Sequence, residues 1–96
     1  MPTWQNCRVD FLYYDDVAEA GIACQVRINR DEIVVSYDLD DGPVVYKGIK
    51  KGKGHFELKA PEINGRASLH MFETSEFLEG FWVEDGYKGM WRIWLG

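Results

Sequence analysis

The chain has little that would speak for catalysis. It holds two histidines, His55 and His70, and two cysteines, Cys7 and Cys24, among 96 residues. In the strand register developed below no serine or cysteine stands beside either histidine, so no nucleophile and base pair is visible. No catalytic residue, metal-ligand set or cofactor motif is expected. A helical period is also missing: the best candidate, Asp15 to Ala20 (DDVAEA), is too short for more than one turn. No window approaches the roughly 18 apolar residues of a membrane span, and the opening MPTWQNCRVD lacks the build of a signal peptide. These absences lead to the expectation of a cytoplasmic chain with no membrane partner. Excess positive charge is lacking as well. A net charge of -5 disfavours nucleic acid, because phosphate binding runs on surplus Lys and Arg.

What is abundant is aromatic: five Phe, five Tyr and four Trp, with ten glycines and three prolines to punctuate them. Aromatic and β-branched side chains suit a pleated, half-buried surface, and Gly and Pro supply turns. A chain of this length makes one domain, burying roughly 60–65% of the surface its unfolded form exposes. Apolar alternation with period two recurs, broken by turn chemistry about every ten residues. The pattern predicts strands near 4–14, 20–29, 32–39, 43–49, 54–60, 66–72, 77–84 and 87–95. The expected fold is all-β, an antiparallel meander of about eight strands closed as a small up-and-down barrel, since closure removes the exposed edges that an open sheet or sandwich would keep.

Asp85-Gly86 is a strong two-residue hairpin turn. With Glu84 opposite Tyr87, the facing pairs run from Trp82 with Gly89 to Phe77 with Trp94, and each glycine meets a tryptophan. Leu78, Trp82, Tyr87, Trp91 and Ile93 then share the core face. Asn64-Gly65, read as the same turn type, sets Ala60 against Leu69 and Lys59 against His70. The turn from Glu73 to Glu76 sets His70 against Glu79. A polar outer row of Lys59, His70, Glu79 and Arg92 results, with His55 lying near Thr74. Upstream, Asp41-Gly42 sets Tyr37 against Tyr46. A two-residue Asp15-Asp16 turn would place Cys7 opposite Cys24, where oxidation would depend on geometry. A longer loop separates them, and is preferred because Asp-Asp is a poor turn of that type; buried free thiols are expected.

Three surfaces are candidates for function. Beside the polar row lie Phe72, Phe77 and Trp94, with Phe81 and Met90 on its far side, an outward apolar wall of the kind that contacts protein. Homo-oligomerisation, a dimer first, is the commoner outcome for such a chain, with a hetero-partner the other. Tyr37, Tyr46, Trp82, Tyr87 and Trp91 point inward and either line a pocket for a small apolar ligand or fill a narrow barrel. The segment Lys47 to Gly54 (KGIKKGKG) offers Lys50, Lys51 and Lys53 to an anion, although it lacks the spacing of a phosphate-binding P-loop and also suits a plain exposed turn. The acidic turn Asp38 to Gly42 lacks the further oxygens of an EF-hand, with Ile49 where the closing glutamate would stand.

The stretch from Leu78 to Ile93, LEGFWVEDGYKGMWRI, resembles the paired G-x-W hairpins of calycin-type barrels, the group that holds lipocalins and avidins. The resemblance covers about a fifth of the chain, and Trp4 has no glycine two residues before it. It implies an up-and-down barrel, a small apolar ligand at an open mouth and association through the barrel wall. The overall expectation is a non-enzymatic binding module that uses its outer wall, with a small-molecule carrier or sensor as the alternative.

Overall fold

Eight antiparallel strands follow one another in chain order around a closed barrel. The computed structural model describes residues 3–13, 18–39, 42–72 and 74–95. The strands are β1 (Thr3–Tyr13), β2 (Ala18–Ile28), β3 (Glu32–Leu39), β4 (Gly42–Lys50), β5 (His55–Ala60), β6 (Gly65–His70), β7 (Phe77–Glu84) and β8 (Tyr87–Trp94). Their bounds lie within two residues of those the alternation predicts. Closure comes from β1 pairing with β8 over Arg8–Tyr13, so that every strand has a neighbour on both sides along part of its length. No helix among the described residues is long and apolar enough to cross a membrane.

Period two sends alternate side chains inward, and the barrel is filled by them. Val9, Phe11, Val26, Ile33, Val35, Leu58, Leu69, Leu78 and Ile93 are buried together with Tyr37, Tyr46, Trp82 and Trp91. Phe11 is the hub of the aromatic cluster, its ring centroid 5.5 Å from Tyr37, 6.2 Å from Trp82 and 6.1 Å from Trp91. Tyr46 closes on Trp91 at 5.2 Å. The polar tips are satisfied: Trp82 Nε1 donates to the Met90 carbonyl at 3.1 Å and Trp91 Nε1 to the Ser68 carbonyl at 3.0 Å.

The β7–β8 hairpin has the register that Asp85-Gly86 predicts, pair for pair from Glu84 with Tyr87 to Phe77 with Trp94. Gly80 shows why a glycine faces each tryptophan. A Cβ there would collide with the Ser68 carbonyl, the same oxygen that the Trp91 indole reaches across the strand to bind. At Gly89 a Cβ would strike the Leu12 carbonyl and come within 2.9 Å of the Trp82 ring. Tyr87, however, is not in the core. It is 64% exposed, because as the first residue beyond the turn it stands at the barrel rim, where no strand lies over it.

Three other registers differ from expectation. Ala60 pairs with Gly65, not Leu69, and Lys59 with Arg66, not His70. Pro61 is the reason: without an N–H it starts a 3-10 turn over Pro61–Ile63 that Asn64 ends in the left-handed region at φ 50, so the connection is four residues long. In β3–β4, Val35 lies opposite Tyr46 and Tyr37 opposite Val44, a two-residue slip from the Tyr37–Tyr46 pairing. The slip sets each tyrosine against a valine and frees one ring to meet Phe11 and the other Trp91. Asp40 and Asp41, on which the calcium-loop comparison turned, lie outside the described residues. Both slips are even-numbered, so inward residues stay inward.

Cys7 and Cys24 stand directly opposite one another on β1 and β2, against the preferred longer-loop reading. A shift in register between Trp4 and Cys7 and another between Val9 and Phe11 bring them level. The turn residues 14–17 lie outside the described residues. Both thiols are buried and free, and Cys7 Sγ donates to the Trp4 carbonyl at 3.4 Å. Burial first, then the neighbouring Cys7, pushes the Cys24 thiol up to about 12.

Candidate binding wall and groove

The outer faces of β6, β7, β8 and β1 form one continuous wall. Its central row is polar, because Asp10 pairs with Arg92, Arg92 with Glu79, and Glu79 with His70. The row ends on His55, which lies opposite His70, and not on Lys59. His55 is therefore a member of the row and not a neighbour of Thr74. Arg92 holds Glu79 with two contacts to Oε2, at 2.9 Å from Nε and 2.8 Å from the terminal nitrogen, a geometry that fixes both side chains. Asp10 is anchored at the barrel seam. Its Oδ1 accepts the Gly21 backbone N–H at 2.8 Å and its Oδ2 accepts Trp94 Nε1 at 3.4 Å.

Apolar rows flank this polar one. On one side Phe77 and Trp94 pair across the β7–β8 hairpin with ring centroids 4.9 Å apart, and the Arg92 guanidinium lies over both, 5.5 and 5.7 Å from their centroids. The guanidinium of the ion pair thus rests against two aromatic faces, while both charged side chains stay about half exposed. On the other side Leu12 pairs with Met90 and Met90 with Phe81, all three well exposed. Phe72 stands beyond the end of β6 and is 85% exposed. The five apolar side chains of the expected wall therefore share one face. Leu12 and Asp10 join them, and were missed because β1 carries two register shifts that no turn signal announces.

Outside this wall the exposed apolar residues are differently placed. Val45 and Ile49 on β4 have polar partners, Ser36 for Val45 and both Glu32 and Glu57 for Ile49. Among the described residues, it is on the wall that one exposed apolar side chain continues into the next.

A groove of about 550 Å³ runs along the wall's β5–β7 end, lined by His55, His70, Glu79, Phe72, Phe77 and Met90. Lys53 and Ser75 lie on its rim. A second groove, of about 360 Å³, lies across the seam against Asp10, Leu12, Met90 and Arg92.

The lysine segment is only partly a loop. Lys47 and Lys50 belong to β4, paired with Lys59 and Phe56, and the turn itself is residues 51–54. Lys51 approaches Glu57 at 3.8 Å, and the Lys51 N–H donates to the His55 carbonyl. Lys50, Lys51 and Lys53 are exposed. Of the inward aromatic set, Tyr37, Tyr46, Trp82 and Trp91 are brought together and Tyr87 is not. Tyr46 Oη donates to Glu84 Oε1 at 2.6 Å, and burial together with that carboxylate raises the phenol well above its ordinary range. Among the described residues no three His, Cys, Asp or Glu side chains gather where one metal ion would sit. Comparison of the chain with family models, curated proteins and solved structures found no match.

Proposed function

We propose that the chain is a non-enzymatic binding module whose outer wall, from β6 through β7 and β8 to β1, docks a second copy of itself. The carrying observation is the composition of that wall. Two apolar rows, Phe77 with Trp94 and Phe81 with Met90 and Leu12, enclose an ion pair already neutralised within the chain. Burying an unpaired charge would cost several kcal/mol, but Arg92 and Glu79 enter an interface with their partners in place. Charge does not oppose this occupant at the centre of the wall. The chain carries -5 overall, but Arg8, Asp10, Glu79 and Arg92, the charges in the two apolar rows and the polar row between them, balance, and the next row outward adds Arg66 and Lys88. A standard interface takes about 800 Å² from each partner, roughly an eighth of this chain's 6556 Å². Association through the barrel wall is also what the resemblance to calycins implies.

An apolar ligand inside the barrel is the less favoured reading. A ligand-sized void of about 300 Å³ left empty would cost on the order of 7 kcal/mol, comparable with the whole stability of a small domain. Phe11, contacting Tyr37, Trp82 and Trp91, takes up that centre.

Sedimentation velocity of the native chain, of Phe81→Glu and of Val45→Glu tests the proposal. Both residues are comparably exposed, at 43% and 41%, so both variants fold. The expected result is a dimer for the native chain and Val45→Glu and a monomer for Phe81→Glu. Equal behaviour of the two variants would reject the wall as the interface.

A further inference from the structure

His55 and His70 face one another across β5 and β6 with Nδ1 atoms 2.7 Å apart, ring centroids 4.3 Å apart and ring planes inclined by 44°. We propose that this pair is a two-nitrogen site for a divalent transition-metal ion, Cu²⁺ in preference to Ni²⁺ and Zn²⁺, with water completing the coordination. As the rings stand, one Nδ1 carries a proton and the other accepts it. When both rings carry their proton on Nε2, two lone pairs replace that hydrogen bond, and a turn of each ring about its Cβ–Cγ bond aims both at one ion. The proton moves within the imidazole, so none need be lost from the pair.

The spacing selects the ion. With metal–nitrogen distances of about 2.0–2.1 Å, two ligands at neighbouring corners of a square plane lie about 2.9 Å apart, and at two corners of a tetrahedron about 3.3 Å apart. The observed 2.7 Å is close to the first and would have to open by more than half an ångström for the second. Square-planar preference belongs to Cu²⁺ and Ni²⁺, and nitrogen sites bind Cu²⁺ most tightly among the first-row divalent ions.

The surroundings suit a bound cation with exchangeable water. Glu79 lies opposite His70 on β7, so its carboxylate, held through Oε2 by Arg92, brings negative charge to the row that the two histidines end. Of the turn cations, Lys51 is drawn to Glu57 at 3.8 Å, and Lys53 lines the same groove as the two histidines. The groove gives the ion an open approach from solvent. Two protein ligands make this an exchangeable site and not a structural centre, in keeping with the absence of a three-ligand cluster among the described residues. Both ligands come from one barrel, at the β5 end of the wall, so the site needs no residue of a second copy.

Titration of the full chain with Cu²⁺ alone, read by electron paramagnetic resonance and visible absorbance, is the test. One equivalent should bind with the hyperfine pattern of two nitrogen ligands. His55→Gln and His70→Gln should each weaken binding by about tenfold or more, since losing even an outer partner of a ligand costs that much. The affinity order should be Cu²⁺, then Ni²⁺, then Zn²⁺. A copper spectrum unchanged by both substitutions would overturn the proposal, as copper would then sit elsewhere, for example at the amino terminus. Tighter binding of Zn²⁺ than of Cu²⁺ would overturn the planar geometry. If either variant failed to fold, the native chain would still decide: Cu²⁺ must broaden the ring proton resonances of both histidines together, and broadening of one alone or of neither would refute the pair.

Discussion

Single atoms decide how the two cysteines behave. Cys7 and Cys24 are 2% and 3% exposed, and Cys24 is pushed up to about 12 from a reference of 9.0. The thiolate is the reactive form, so the native chain should leave both thiols untouched by an aromatic disulfide reagent at pH 8, whereas both react in denaturant. Rapid labelling of the folded protein would contradict this. Stability follows with a definite sign. The unfolded chain loses its thiol proton above about 9 while the folded chain keeps it to about 12. Folding stability is therefore full below pH 9 and falls between 9 and 12, by up to about 1.4 kcal/mol per pH unit from this group. The buried Tyr46 phenol, also raised, adds to the fall at higher pH. Urea midpoints of the native chain and Cys24→Ala should diverge from pH 7 to pH 11, the native chain declining more steeply. Gly80 makes a second prediction at this scale. Gly80→Ala forces a Cβ against the Ser68 carbonyl and disturbs the Trp91 hydrogen bond, so it should cost about 2–4 kcal/mol in urea unfolding.

Among the elements, the seam between β1 and its neighbours depends on one carboxylate. Asp10 accepts from Gly21 on β2 and from Trp94 on β8, and so ties three strands at the point where β1 shifts register. Asp10→Ala should destabilise the barrel by about 1–3 kcal/mol and speed hydrogen exchange at the Gly21 amide before that of β6 and β7. Uniform acceleration across the barrel would argue against a local seam. The same seam marks the limit of what could be read from the sequence. The β7–β8 hairpin was legible to the residue because Asp85-Gly86 allows one turn, and Asp85 does adopt a positive φ of 47. Asn64-Gly65 looked equivalent and was not, since Pro61 had already begun a 3-10 turn; a proline just after Ala60 was the signal that could have placed His55 beside His70. Faces survived that slip because the displacement was even. The bulges of β1 had no counterpart in turn chemistry, so the facing of Cys7 and Cys24 was the less favoured of two readings, and the membership of Asp10 and Leu12 in the wall emerged only from the closed barrel.

The whole molecule is a closed barrel measuring 33 × 23 × 23 Å, with a buried aromatic cluster at its centre and one face unlike the rest. The centre accounts for stability, and the wall is where an account of function has to start. On this face exposed Leu12, Met90 and Phe81 continue into one another, and Phe77 and Trp94 rest against the guanidinium of a neutralised ion pair. Salt should strengthen its association modestly, because it screens the repulsion between two chains that each carry -5 while the burial itself is apolar. The most direct test of self-association is solution scattering of the native chain over a wide concentration range. The account predicts a mass rising to about twice 11.1 kDa, with a radius of gyration well above the 12.4 Å of one barrel. A mass of one chain and an unchanged radius at every concentration would contradict it.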